Sequence, residues 1–176
     1  MTRRGMRAAF WRSEEGSSTI EFMLFMPFMF MIFFSTFELG MLMSRQVMLD
    51  RALDLTVRAV RLGLIEPVDH DTVKTAVCNN FVMNIDCNEL KLEMRRIDPR
   101  NLTAIPNDAD CVDREDDSIP LRQFVAGSSN QLVYLRACAL FDPFIPLAGI
   151  GAEIPRQSGD AYGLVSAAAY VVEPEE

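Results

Sequence analysis

Residues 16–43 read GSSTIEFMLFMPFMFMIFFSTFELGMLM, and the reading of that stretch decides the rest of the chain. From Phe22 to Phe37 it carries no charge, and only Glu38 interrupts its apolar character up to Met43. Of 12 Phe and 11 Met in the whole chain, seven Phe and six Met lie between Phe22 and Met43. A soluble domain does not concentrate them that way. As a helix, these 22 residues span roughly 33 Å at about 1.5 Å per residue, enough to cross the hydrocarbon core of a bilayer. Arg3, Arg4, Arg7 and Arg12 precede the run, with no acid before Glu14. Basic residues beside a membrane helix stay in the cytoplasm. The predicted orientation therefore puts the N-terminus inside and everything after about Ser44 outside.

A secretory signal would have a shorter apolar run, of about 7 to 15 residues, closed by a small-x-small cleavage site. This run is longer, and small residues after it are sparse. A plain anchor fits the length but not the two acids, Glu21 at the inner edge and Glu38 near the outer one. A charged group inside a bilayer costs on the order of 2.5–3.5 kcal/mol or more, less toward the ends.

The run Gly16-Ser17-Ser18-Thr19-Ile20-Glu21-Phe22 offers a reason for the first acid. A basic leader ends in Gly, four small or apolar residues follow, then Glu and Phe, then the apolar helix. This resembles the processing site of type IV prepilins. Pro27 within the run, Glu38-Leu39-Gly40 at its end, Arg45-Gln46, and the stretch from Ala52 to Arg58-Ala59 narrow the resemblance. That order is similar to the TadE/TadF-like minor pseudopilins of the tight-adherence (Flp) pilus. The tail from Val165 to Pro174, a small-apolar strand closing on Glu173-Pro174, is similar to the family's ending. The likeness covers residues 16–64 and the last dozen, and not the middle. The chain departs from the family in its Met and Phe richness, which reads as membrane packing.

The resemblance implies cleavage between Gly16 and Ser17 by a prepilin peptidase. A Gly at the cut leaves the backbone accessible. It implies that Glu21, beside Phe22, meets the free N-terminal amine when subunits pack. The implied partners are that peptidase, other minor pseudopilins, pilus assembly proteins and the bacterial inner membrane, with the domain after the helix periplasmic or carried into an extracellular pilus. It implies no cofactor. The expected organisation is a leader over 1–16, a transmembrane helix over 17–43, an amphipathic extension over 44–64 and a periplasmic head over 65–176.

The helical pattern continues past the membrane. Leu49, Ala52, Leu53, Thr56, Ala59, Val60 and Gly63 recur at helical spacing, while Arg45, Asp50, Arg51, Asp54, Arg58 and Arg61 take the other positions. Asp54 and Arg58 stand in the favourable order for a helix pair. Gly63 and Pro67 are stop signals. One helix from Ser17 to Leu62 is expected, bent at Pro27, where a backbone hydrogen bond is lost. The apolar stripe is best read as a seam against this chain's own head rather than against a neighbouring subunit.

Asp69 is placed to cap a second short helix running to about Asn79. The adjacent Asp69, His70 and Asp71 invite a metal-site reading. Three neighbours do not converge easily on one ion, and no second His exists. An N-cap with acids in the first turn is the better reading, and no metal is expected. Leu90 to Met94 alternates strictly and reads as a strand; Leu132 to Phe141 and Gly163 to Val172 read as two more. Three strands at these separations predict a small antiparallel sheet packed on the helix, an α+β fold, which is also the pilin architecture the resemblance implies.

The long loop from Pro99 to Gln123 holds Asp108, Asp110, Asp113, Glu115, Asp116 and Asp117. A calcium site would use such oxygen ligands. The loop lacks the central Gly and closing Glu of an EF-hand, so a solvated charge run is expected. A membrane-anchored periplasmic binding module with calcium in this loop is the alternative function.

Cys78, Cys87, Cys111 and Cys138 all fall on the side expected to be outside, an oxidising compartment where an even count suggests disulfides. No Cys-x-x-Cys occurs, so zinc and redox motifs find no support. Four cysteines allow three pairings. Cys78 at the end of the second helix and Cys87 before the first strand make a local pair, leaving Cys111 for Cys138. The net charge of -8 argues against general nucleic-acid binding. With one His and no nucleotide loop, enzyme classes lack the residues they need, and Asn101-Leu102-Thr103 as a glycosylation acceptor carries little weight.

Overall fold

The structure, a computed structural model, describes residues 17–83, 85–100, 105–106, 108–115, 123–146 and 149–173. Its first element, α1, is a continuous helix from Ser17 to Arg61 that runs through Pro27. It is long and apolar enough to cross a membrane. It has two unlike halves. Ile20, Phe22, Met23, Leu24, Phe25, Phe28 and Met29 are all more than half exposed. From Leu49 onward one face disappears into the head: Leu49, Ala52, Leu53, Thr56 and Val57 are buried. The helix ends where Gly63 takes a positive φ of 66°, with the amides of Gly63 and Leu64 closing on the carbonyls of Val60 and Ala59.

A second helix, α2, covers His70–Asn80 and buries Val73 and Val77 against α1. A short 3-10 turn, Cys87–Glu89, leads into β1 (Leu90–Ile97). Then come β2 (Leu132–Phe141), the single-turn α3 (Ile150–Glu153) and β3 (Tyr162–Val171). The sheet is antiparallel in the order β1-β2-β3, so the fold is α+β with β2 central. β1 runs past the Met94 expected from the alternation, to Ile97. Arg95 and Arg96 hide the pattern there, but their backbones still pair with Tyr134 and Val133. β3 starts one residue earlier than expected and ends one earlier.

The two faces of the sheet do different work, as period-two alternation dictates. Leu90, Leu92 and Met94 of β1, Val133, Leu135, Ala137 and Ala139 of β2, and Leu164 and Tyr170 of β3 form the core with α1 and α2. Polar groups also sit at that interface, Thr56 and Ser166 both being buried there. Thr56 bonds back to Ala52 O and accepts from Asn80 Nδ2 at 3.1 Å, which ties α1 to the end of α2.

The opposite face carries charge. Glu93 pairs with Arg136 directly across the β1–β2 ladder and with Arg95 two residues along. Glu93 and Arg136 are both buried, because the acidic loop lies over them. Arg136 donates to the carbonyls of Pro106 (2.9 Å) and Asp108 (2.7 Å). Lys91 Nζ reaches Asp110 at 3.1 Å, and both side chains are nearly covered. The loop is thus only in part the solvated charge run expected from its composition: Asp108 and Glu115 are exposed, while Asp110 is buried against Lys91 of the sheet. Through that pair and the Arg136 contacts it straps the outer face.

Candidate assembly site and helix–head junction

Gly16, on the leader side of the expected cleavage, lies outside the described residues, as do the four leader arginines. Ser17 is the first residue of α1. Glu21 and Phe22 stand one turn further on, exposed on the bare stretch of the helix. No described residue of the head approaches Glu21, so its carboxylate is open to a partner there.

The residues that carried the resemblance beyond the membrane run prove to be the contacts that seat the head. Glu38 is 1% exposed. Its carboxylate accepts from the Phe144 amide at 3.0 Å and from the Ile145 amide at 3.1 Å, both in the turn after β2. Two turns on, Arg45 donates to the Tyr162 hydroxyl at 2.6 Å and to the Asp142 carbonyl at 3.0 Å, and lies over the Phe141 ring at 5.0 Å. Burial pushes the Tyr162 phenol up, against the opposing pull of Arg45. Gln46 donates to Val165 O of β3 and to Asp50 of its own helix. Below Glu38, Gly149 presses on Ser35 so closely that an added Cβ would lie 2.3 Å from the Ser35 hydroxyl. Gly149 has a φ of 62°, which also favours glycine.

A second polar knot closes the far side of the head. Arg114, in the acidic loop, bridges Glu89 at 2.9 Å and Asp142 at 2.7 Å. The two carboxylates hold the guanidinium more firmly protonated, and the Arg114 hydrogen bond holds the Asp142 carboxyl below its usual range. The Arg114 amide donates to Ser158, whose hydroxyl donates to Asp113. Asp113 also accepts from the Glu115 amide. Asp116 and Asp117 lie outside the described residues. In the described part of the loop, Asp110 is taken by Lys91 and Asp113 by Ser158 and the Glu115 amide, so an ion would have to compete with the protein for these oxygens.

Asp69, His70 and Asp71 are not brought together. Asp69 turns back to cap α2, accepting from the Thr72 amide at 2.8 Å, and that bond lowers its carboxyl below the usual value. His70 Nδ1 contacts Asp71, which points to solvent, and the ring meets Phe124 edge-on. His70 Nε2 is buried without a hydrogen-bond partner in the structure. Among the described residues no three His, Cys, Asp or Glu side chains are grouped to hold a metal. Cys78 and Cys87 approach to a Cα–Cα distance of 6.0 Å, and Cys111 and Cys138 to 5.1 Å, both within disulfide range.

Sequence reasoning missed the roles of Glu38, Arg114 and Arg136. For Glu38 a signal existed: an acid in an apolar run, paired with an uncharged stretch around Phe144 that supplies amides. For Arg114 and Arg136 none did, since their partners sit 25 to 43 residues away.

Residues 16–58 match the family model described as TadE-like protein. The match begins at the glycine of the expected cut and takes in Glu21, Glu38, Arg45, Gln46 and most of the buried stripe of α1; it includes none of the head beyond the helix. No curated protein and no solved structure matches the chain.

Proposed function

We propose that this protein is a non-enzymatic minor pseudopilin of a tight-adherence (Flp) pilus, cut between Gly16 and Ser17 by a prepilin peptidase and required for pilus assembly. The observation that carries the reading is the TadE-like match over 16–58, which opens on Gly16 and holds Glu21 and Phe22. The bare first half of α1 supports it. An exposed apolar rod of this length suits lipid before assembly and neighbouring rods after it. Glu21 then serves as the acid that meets a neighbour's N-terminal amine, a pairing that relieves the cost of leaving either charge alone in an apolar medium. The four arginines of the leader place the N-terminus in the cytoplasm and the head in the periplasm. Partners follow from the same reading: the peptidase, other minor pseudopilins and the assembly machinery of the inner membrane.

N-terminal sequencing of membrane-extracted protein tests the cut. A start at Ser17 is expected, and an intact leader overturns the proposal. Glu21→Ala is expected to insert and be processed normally yet to lower piliation sharply. Unchanged pilus number, counted by electron microscopy, removes Glu21 from the assembly role.

A further inference from the structure

The head is acidic, yet residues 143–152, PFIPLAGIGA, carry no charge. This stretch, described at 143–146 and 149–152, lies on the side of the head that faces the bare rod. It is held at a definite level of α1 by the Glu38 carboxylate on the amides of Phe144 and Ile145 and by the close approach of Gly149 to Ser35. The Phe144 ring meets Phe37 edge-on at 5.3 Å and is otherwise 65% exposed. Phe37 continues the exposed aromatic surface of Phe33 and Phe34 below it. With Glu21 at the inner boundary, Ser35 to Glu38 stand 14 to 17 residues further along. That is roughly 21–26 Å at about 1.5 Å per residue, inside a hydrocarbon core about 30 Å thick.

We propose that residues 143–146 and 149–152 form a foot that the head sets into the outer leaflet of the membrane, with Phe144 among the acyl chains and Glu38 sealed between foot and helix. The proposal rests on the reading of α1 as the membrane span. Its occupant is lipid because the surface is continuous with the apolar rod, at the same depth, and its own residues carry no charge, while Arg156, whose guanidinium touches them, donates to their carbonyls.

Irregular backbone at membrane depth is tolerated only where its polar groups are satisfied by protein. The foot meets that condition at several of its described groups. Pro143 and Pro146 have no N–H to satisfy. The amides of Phe144 and Ile145 go to Glu38, and Arg156 donates to the carbonyls of Pro146 and Gly151. The amides of Ala152 and Ile154 close on Gly149 and Ile150. The same contacts answer how an acid survives inside the apolar run. Glu38 exchanges water for backbone donors and is shielded from lipid by the loop that supplies them.

The test uses the full chain in lipid nanodiscs at one copy per disc. Trp11→Phe removes the native tryptophan, and single probes are added as Phe144→Trp, Phe28→Trp or Val82→Trp. Phe144 and Val82 are both well exposed, so the probes fit without repacking the core. Lipids brominated at shallow or deep acyl positions quench tryptophan on contact. The Phe144→Trp probe is expected to lose emission with the shallow-brominated lipid, the Phe28→Trp probe with the deep one, and the Val82→Trp probe with neither. Quenching at Phe28 without quenching at Phe144 overturns the foot and leaves the span standing. No quenching at Phe28 removes the span itself, and the foot with it. Protection of the Phe144→Trp probe that grows with copy number per disc assigns this face to a second copy and also overturns the foot.

Discussion

A carboxylate only 1% exposed needs donors in place of water, and Glu38 takes them from the backbone of Phe144 and Ile145. The dependence is mutual, because among the described residues Glu38 is the acceptor those amides are given. Leaving a buried donor unsatisfied costs about 1–3 kcal/mol, far more than the net worth of an ordinary hydrogen bond. Glu38→Ala is therefore expected to speed hydrogen exchange at the Phe144 and Ile145 amides by roughly 5- to 150-fold, the rate equivalent of that cost. Glu38→Gln keeps one acceptor oxygen and falls between. Mass-resolved exchange on the micelle-bound protein checks this, and equal rates in all three proteins would mean that the carboxylate is incidental to the turn. Arg45 makes a different kind of contact. Its planar fork and its ring contact together engage Tyr162, Asp142 and Phe141, a combination a lysine does not reproduce.

At the scale of elements, α1 is one helix with two solvents. The half before about Gly40 presents apolar side chains outward, and the half after Met48 buries a stripe in the head. Substitution effects should divide along the same line. Leu53 is 1% exposed and central to the core, so Leu53→Ala is expected to cost the head about 2–5 kcal/mol, as large-to-small changes in cores do. Phe28, 65% exposed on the rod, contributes to no core, and Phe28→Ala should leave the unfolding of the head unchanged. Urea titration in micelles, followed by the circular dichroism of the sheet, separates the two; equal losses would contradict a divided helix. This division was legible in the chain. An uncharged run of that length reads as an apolar rod able to cross a membrane, and Leu49, Ala52, Leu53 and Thr56 repeat at a helical period that survives averaging. The strands were legible for the same reason, except where Arg95 and Arg96 mask the end of β1. What stayed hidden was the order of things joined across long separations. Asp110 and Lys91, or Arg136 and the carbonyl of Pro106, meet only because the folded sheet presents one charged face beneath the loop. Composition registers such a face as solvated charge, since it counts the acids in the loop and cannot see the cations beneath them.

For the molecule as a whole, the question is what keeps a small head rigid enough to be carried by its rod. The core is modest, and among its described residues the long loop adds no strand beyond the bridge from Phe124 to Met94. We propose two disulfides with separate tasks. Cys78–Cys87 staples the end of α2 to the turn before β1, a separation of nine residues. Cys111–Cys138 fastens the acidic loop to the outer face of β2, across 27 residues. Loop-closure entropy alone assigns about 2.6 kcal/mol to the shorter link and about 3.5 kcal/mol to the longer. The longer one has a second effect. It holds the loop over Glu93 and Arg136, and a buried ion pair is stable only while its surroundings keep its other bonds made. Replacing Cys111 and Cys138 together by Ala is therefore expected to destabilise the head more than replacing Cys78 and Cys87, and to raise hydrogen exchange at residues 108–115 while leaving α2 protected. Non-reducing peptide mapping comes first: a peptide joining Cys78 to Cys111 or Cys138 would sink the assignment. If the pairing stands but the two double replacements cost the same, the loop acts only as a tether, and the charged face of the sheet does not depend on being covered.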